Sequence, residues 1–269
     1  MLLNENESRL EIARHIAREA GKRTLQHFAP GVKVERKADN SPVTIADKDA
    51  EEFMRQQIAK EFPDDAILGE EFGESPGTSG YRWILDPIDG TKSFITGVPL
   101  YGTLVGVEFK GDATIGVIEL PALDRRISAA IGHGAVWQIG DDTPVTAHVS
   151  NCDQLSDSVY LTSEVKTFDE RSAMEAHHEL EAKCWYGRTW GDCYAYFLVA
   201  IGQAEFVVDP IMSIWDAAAL LPVMVESGGT FTDWKGRPTI ESGEGVATNG
   251  KLLDQVLETT RRFGSLGDK

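Results

Sequence analysis

Positive charge is scarce in this chain. Its 269 residues include 26 lysines and arginines against 43 aspartates and glutamates, a formal net charge of −17. That balance argues against nucleic acid or an anionic membrane as partner. It leaves open a small anionic substrate, provided that metal cations carry the local positive charge. Cysteine is nearly absent as well: there are only Cys152, Cys184 and Cys193, and no CxxC. A disulfide framework and a thiolate zinc site are therefore not expected, and a reducing, cytoplasmic compartment is. No uninterrupted apolar run approaches the ~18 residues of a membrane-spanning helix. The opening MLLNENESRLEI offers two adjacent leucines and then acids, so no signal peptide is expected. The six histidines (His15, His27, His133, His148, His177 and His178) show no HExxH or other ligand spacing and are read as structural or surface residues. Internal repeats and low-complexity tracts are missing too.

What remains is an ordinary globular composition, 42% hydrophobic and 26% charged. The chain is long enough for one large domain or two modest ones. Leu10, Ala13, Ile16, Ala17 and Ala20 fall on one face of a helix predicted over 7–28. Ala50, Phe53, Met54 and Ile58 form the stripe of a second, over 46–62, with Pro63 just past its end. The polar ERKADNSPVT between them, 35–44, reads as a loop. From residue 103 the pattern changes. TLVGVEF, ATIGVIEL, RRISAAI and GAVWQI are short β-branched runs separated by glycines, Asp112, Pro121 and Asp124, and they predict antiparallel strands. The least patterned stretch, 140–157, marks the expected boundary between an α+β subdomain (1–145) and an α/β subdomain (146–269). In the second, the strands DSVYLTS and AEFVVDP alternate with helices predicted over 169–180, 192–202, 214–229 and 251–262. The last residues, GSLGDK, read as a frayed tail.

Residues 82–94, RWILDPIDGTKSF, carry the chemistry. A strand ending at Leu85 puts Asp86 at its carboxyl edge, where α/β proteins place ligands. Pro87 makes Asp86 extended, and Asp89 follows one tight turn later. Two acids on so short an arc repel unless a cation sits between them. Carboxylates plus the Ile88 carbonyl suit Mg²⁺, Mn²⁺ or Ca²⁺. Gly90 lets a ligand approach the backbone, and a helix starting near Thr91 presents free N–H groups to a phosphate. Two acids at this spacing also occur as a plain turn and helix cap.

The whole string, WILDPIDGTKSF, resembles the signature of the inositol-monophosphatase-like family of metal-dependent phosphatases. Three further motifs stand in the family's order: Val43-Thr44-Ile45-Ala46-Asp47, Gly69-Glu70-Glu71 and Trp215-Asp216. The resemblance spans roughly residues 40–250. It implies a layered α/β fold (αβαβα), with the site in the cleft between the two parts. It implies that Glu70, Asp86, Asp89, Asp216 and the Ile88 carbonyl bind two or three Mg²⁺, with Mn²⁺ as a substitute. Asp47 and Thr91 would orient the attacking water, with Glu70 also in the catalytic set, and Gly90 and Thr91 would hold the phosphate through backbone N–H groups. Glu71 is read as solvated or as support for its neighbours. Lys92 is read as a phosphate contact or a surface charge. The family also implies a homodimer.

Two stretches, GVPLYGTLVGV (97–107) and GRTWGDCYAYFLVA (187–200), resemble the histidinol-phosphate phosphatase branch of that family. L-Histidinol phosphate carries an ammonium group and an imidazole away from its phosphate. Asp192 and Asp209 are the acids expected to face that end, although Asp192 could instead cap a helix. Arg188 and Trp190 are expected at the substrate pocket or at a subunit contact. The expected function is Mg²⁺-dependent hydrolysis of a phosphomonoester, L-histidinol phosphate first. Inositol 1-phosphate or a broad range of sugar phosphates is the alternative within the same chemistry. A non-catalytic metal- or phosphate-binding protein on the same fold is the alternative outside it. The aspartyl-phosphate chemistry of haloacid-dehalogenase-type enzymes needs DxDxT, and this chain has DxxDGT.

Overall fold

A computed structural model describes residues 2–28, 35–36, 42–264 and 266. Helix α1 (Leu2–His27) begins before the predicted residue 7, and its stripe Leu10, Ala13, Ile16, Ala17 and Ala20 is buried as the spacing predicts. Strands β1 (Glu35–Arg36) and β2 (Pro42–Val43) pair antiparallel. Residues 37–41 of the expected loop, and most of the expected tail after Gly264, lie outside the described residues. Helix α2 is Ile45–Glu61. Then come β3 (Ala66–Gly69), β4 (Gly73–Ser75), β5 (Tyr81–Asp89) and α3 (Thr91–Thr96). The predicted antiparallel run follows as β6 (Gly102–Phe109), β7 (Asp112–Leu120), β8 (Arg125–Ala130), β9 (Ala135–Ile139) and β10 (Val145–Thr146). These build an eight-stranded sheet, ordered β10-β9-β8-β7-β6-β5-β3-β4, in which β3 and β5 are the parallel pair.

The rest of the chain builds β11 (Val159–Leu161), α4 (Lys166–Glu170), α5 (Met174–Lys183), β12 (Tyr186–Arg188), α6 (Cys193–Ala200) and β13 (Phe206–Asp209). It closes with α7 (Ile214–Ala217), α8 (Leu220–Glu226), β14 (Thr230–Thr232), β15 (Gly245–Thr248) and α9 (Leu253–Thr260). The second sheet has five strands, ordered β12-β11-β13-β15-β14. Two predicted helices are broken. The helix expected over 169–180 stops at Ser172, whose φ of 59° is left-handed; Ala173 N–H then bonds back to the Phe168 carbonyl and α5 starts afresh. The helix expected over 214–229 divides into α7 and α8, because Pro222 has no N–H to give the Ala218 carbonyl.

The layers follow from which faces are apolar. Helices α1 and α2 cover one face of the eight-stranded sheet, around Trp83, Leu85, Val105 and Val117. Its other face packs on α6, α7 and α8, which also cover the five-stranded sheet in one shared cluster. Helices α5 and α9 close the far side, around Tyr160, Phe206, Trp234 and Val246. The result is the five-layer α/β order. Two strand glycines, Gly106 and Gly116, are paired across β6 and β7. A side chain on Gly116 would lie 2.0 Å from the Ala219 carbonyl oxygen, and one on Gly106 2.6 Å from Ala218 Cβ. Their bareness lets the α7–α8 junction lie flat on the sheet, which brings Asp216 from the second half to the strand carrying Asp86.

One buried acid lies away from that junction. Glu119 on β7 is 5% exposed, and α1 passes close at Gly21. Burial raises its carboxyl to about 7, with Asp124 adding to the rise, although Arg126 at 3.4 Å and Arg18 pull it back. A raised carboxyl favours the folded state while protonated, so its contribution is intact below about pH 4.5 and lost as pH climbs through about 7. Glu119→Gln is expected to raise Tm relative to the parent at pH 8, by the equivalent of about 1–3 kcal/mol, and to leave it unchanged near pH 4. Melting curves at both pH values check this; a lower Tm at both would mean that the Arg126 ion pair outweighs burial.

Candidate active site

The acids of the DPIDGT stretch stand on a strand that does not stop at Leu85, as the sequence suggested. β5 runs on to Asp89 through a bulge: Asp86 faces Leu104 and Asp89 faces Gly102, so β5 carries one extra residue. Pro87 sits inside the bulge, where a missing N–H costs no ladder bond, and its carbonyl accepts from Thr103 Oγ1 at 2.8 Å. Gly90 then turns the chain with φ 84°. A side chain there would meet Asp192 Oδ2 at 2.9 Å, so both the backbone and the space require glycine. Helix α3 follows from Thr91, whose hydroxyl donates to the Ile88 carbonyl at 3.1 Å.

Two other acids come from capping boxes. Asp47 lies in the first turn of α2, where its Oδ2 accepts from Thr44 N–H at 2.8 Å and from the Thr44 hydroxyl at 2.7 Å. Asp216 lies in the first turn of α7, where its Oδ2 accepts from Ser213 N–H at 2.6 Å. The acids on β5 are held the same way: Asp86 Oδ1 takes the Ile88 N–H at 3.0 Å, and Asp89 Oδ2 takes the Cys193 N–H at the start of α6. Each of the four carboxylates therefore has one oxygen fixed by a backbone donor. Oδ1 of Asp47 is buried and has no hydrogen-bond partner among the described residues. Glu70 follows β3, its backbone N–H bonded to the Leu85 carbonyl at 3.2 Å.

One oxygen each from Asp86, Asp89 and Asp216 lies within 4.8 Å of the others. Two charges that close repel by about 3 kcal/mol even at an effective dielectric of about 20. Burial pushes Asp86 well above the usual carboxylate range, and the charges of Glu70, Asp89, Asp216 and Asp47 push it further. Asp89 is raised by burial and then by Asp192 and Asp216. Asp216 rises to about 7 through burial, with Glu70 adding, while the Ser213 N–H and a hydrogen bond with Asp86 work against the rise. Asp47 is raised by burial, held back by its Thr44 bonds, and raised again by Glu70. A cluster of buried and half-buried carboxylate oxygens that repel one another, beside a carboxylate oxygen with no donor among the described residues, fits a hard divalent cation. The structure brings Asp86, Asp89 and Asp216 together, with Glu70 and Asp47 near enough to act on them.

A cavity of about 460 Å³ opens beside this cluster. Glu70, Gly90, Thr91 and Lys92 line one side, and Ser163, Asp192 and Asp209 the other. Lys92 on α3 pairs with Glu164 from the second half. Asp192 stands at the N-cap of α6 but makes no capping bond, so its carboxylate is not spent on the helix. Its backbone is forced to φ 54° and ψ −156°, unusual for a residue with a side chain. Its N–H donates to Ser163 Oγ at 2.9 Å, and Gly191 before it packs against Ser163 so closely that a side chain would strike the Cα at 2.0 Å. Burial raises the Asp192 carboxyl to about 7, helped by Asp209 and Asp216 and opposed by Lys92.

Of three further expected pocket residues, Asp209 lines the acidic cavity and Arg188 and Trp190 do not. Asp209 is in the wall, but its Oδ1 accepts from Thr162 Oγ1 and Ser163 N–H, and its Oδ2 from Ser163 Oγ and Tyr196 OH. It anchors Ser163, and through Ser163 it anchors Asp192. Arg188 does not line the acidic cavity: it lies over Tyr186 and lines a separate 210 Å³ cavity with His177 and Glu181. Trp190 is 41% exposed and lines neither. Glu71 turns its backbone N–H to Glu51. No histidine lines the acidic cavity. Ser163 was not expected at the site, although it lies two residues past the end of β11, a strand in parallel pairs, where a ligand-contacting loop is expected. Tyr196 and Cys193 were not expected there either; they read only as parts of an apolar helix.

The sequence model of the inositol monophosphatase family matches residues 5–265. A histidinol-phosphatase of Chlorobaculum parvum is 43% identical over 249 residues, covering 92% of this chain and 94% of that one. A histidinol-phosphatase of Streptomyces coelicolor is 38% identical over 253 residues, covering 92% and 95%. The solved structure of an inositol monophosphatase from Zymomonas mobilis superposes with a TM-score of 0.83 at 29% identity, covering 95% of this chain and 98% of that one. On the match along nearly its whole length, and on the acidic cluster that its fold assembles, this chain belongs to the inositol monophosphatase family.

Proposed function

We propose that this chain hydrolyses phosphomonoesters with the help of Mg²⁺ or Mn²⁺, and that its preferred substrate is L-histidinol phosphate. The residues that would hold two or three such ions are Glu70, Asp86, Asp89, Asp216 and the Ile88 carbonyl. When bound, the ions supply Lewis-acid activation of water and neutralise charge on the phosphate and on the leaving oxygen. The chain's own groups do the rest. Asp47, its Oδ2 committed to Thr44, has Oδ1 to accept a hydrogen bond from the attacking water. The Thr91 hydroxyl, tied to the Ile88 carbonyl, lines the phosphate side of the cavity. The first N–H groups of α3 receive phosphate oxygens.

The choice of ester rests on one observation: Asp192 presents to the cavity a carboxylate that is not spent on its helix. An ammonium group compensates such a buried anion; a neutral polyol offers it only hydroxyl donors. The two histidinol-phosphatase relatives support the same choice. The Zymomonas mobilis structure keeps inositol 1-phosphate as the second reading. The homodimer and the cytoplasmic compartment belong to this proposal as well. Support for the compartment comes from three cysteines that are all free thiols, and no helix among the described residues is long and apolar enough to cross a membrane.

Phosphate release from a panel of esters, with Mg²⁺ and with chelator, tests the function. L-Histidinol phosphate is expected to have a kcat/KM at least tenfold above that of inositol 1-phosphate; equal values remove the substrate assignment, and no Mg²⁺-dependent release from any ester removes the activity. Asp192→Asn is expected to cost about 10- to 100-fold on L-histidinol phosphate and little on a small aryl phosphate. Asp192→Gly is expected to lose the same discrimination while raising Tm, because glycine accepts the positive φ without strain. Asp86→Asn removes one repelling charge: it is expected to raise Tm in chelator, to abolish the rise in Tm on adding Mg²⁺, and to lower turnover more than 100-fold. Near-normal turnover in that variant would rule the cluster out as the active centre.

A further inference from the structure

Glu51 lies one helical turn beyond Asp47 on α2, and its side chain is fully buried. Its oxygens do not face the cavity's cluster. They face the chain just after Glu70: Oε2 accepts from Glu71 N–H at 2.7 Å, and Oε1 from Phe72 N–H at 3.2 Å and from Arg55 Nε at 2.7 Å. The N–H of Glu70 itself is held from the other side by the Leu85 carbonyl, next to Asp86. The approach of Glu51 is possible because residue 69 is glycine; a side chain there would lie 2.0 Å from Glu51 Oε1. Arg55 carries the clamp onward to the Gly73 carbonyl and to Ser75 Oγ at the edge strand β4.

We propose that Glu51 is a positioning residue for Glu70: its carboxylate fixes the two backbone amides that follow Glu70, and so locks the Glu70 carboxylate in register with Asp47, which the same helix carries. This rests on the reading of Glu70 as a metal ligand. A buried carboxylate is costly unless donors surround it, and this one has three. Two of them are main-chain groups whose positions set where Glu70 points. Helix α2 thus holds the site at two points one turn apart, directly through Asp47 and at one remove through Glu51. Residues that orient metal ligands typically contribute 10- to 100-fold to metal affinity.

The test compares Glu51→Gln, Glu70→Gln and the parent as full-length, chelator-treated proteins. Mn²⁺ affinity is measured by titration calorimetry, and Tm with and without Mg²⁺. Glutamine keeps the volume of Glu51 but offers one acceptor oxygen for three donors, and its NH₂ opposes one of them. Glu51→Gln is expected to weaken Mn²⁺ binding about 10-fold or more and to narrow the gap in Tm between metal-free and metal-loaded protein. At saturating Mg²⁺ the KM for the ester is expected to be unchanged. A merely structural Glu51 would lower Tm by the same amount with and without metal and leave the Mn²⁺ affinity alone, and that result overturns the proposal. If Glu70→Gln leaves the affinity unaltered, the reading of Glu70 as a ligand fails first, and the proposal with it. Should Glu51→Gln yield no folded protein, Glu51→Asp, whose carboxylate stands one methylene short of the two amides, gives the same readout: weaker Mn²⁺ binding supports the proposal, and unaltered binding ends it.

Discussion

Mutual repulsion among buried carboxylates is the constraint around which this molecule is built. Buried Asp86 and Asp89 and half-buried Asp216 bring oxygens within 4.8 Å of one another, with Glu70 and Asp47 adding to the same field. Left to themselves, such groups would turn away or take up protons. Single backbone N–H groups prevent the turning. Each of four aspartates is held by one of its oxygens: Asp47 by the N–H of Thr44, Asp86 by that of Ile88, Asp89 by that of Cys193 and Asp216 by that of Ser213. The amides come from the starts of three helices, α2, α6 and α7, and from a strand bulge, so the electrostatic tension is spread over four elements.

Those elements meet because small residues let them. Gly106 and Gly116 flatten the sheet under the α7–α8 junction, and Gly90 makes room for Asp192. Gly69 admits Glu51, and Gly191 admits Ser163. In each case the missing side chain is where one half of the site, or its support, comes against another. The strained backbone of Asp192 belongs to the same pattern: the chain tolerates an unfavourable φ where it puts a carboxylate into the cavity.

Much of this was legible in the sequence, and the reasons differ by element. The stripes of α1 and α2 are periodic over enough residues to read, and β6–β9 show as β-branched runs bounded by turn residues. DPIDGT, Glu70 and Asp216 were legible as a resemblance, because motif order survives where geometry is invisible. The bulge in β5 was not legible, since nothing in WILDPID distinguishes a strand that stops from one that buckles and continues. Strands β3, β4, β12, β14 and β15 span at most four residues each, too few to show a period. The break at Ser172 depends on a single positive φ in a residue that does not announce it. Asp209 and Arg188 were placed by type and position. Only tertiary structure shows that four donors occupy the first and that a different cavity takes the second.

The sheets divide the chain near Thr146, but the apolar interior does not. One cluster joins Ile84, Leu104, Ile118 and Ile127 of the first sheet to Leu161, Val207 and Ala247 of the second through α6 and α8. Neither half can therefore melt while the other stays intact, because each would bare the face that the shared helices cover. Denaturation should dismantle both walls of the cavity in one cooperative step, and a chain severed in the 147–158 connection would leave two fragments that fold only in each other's company.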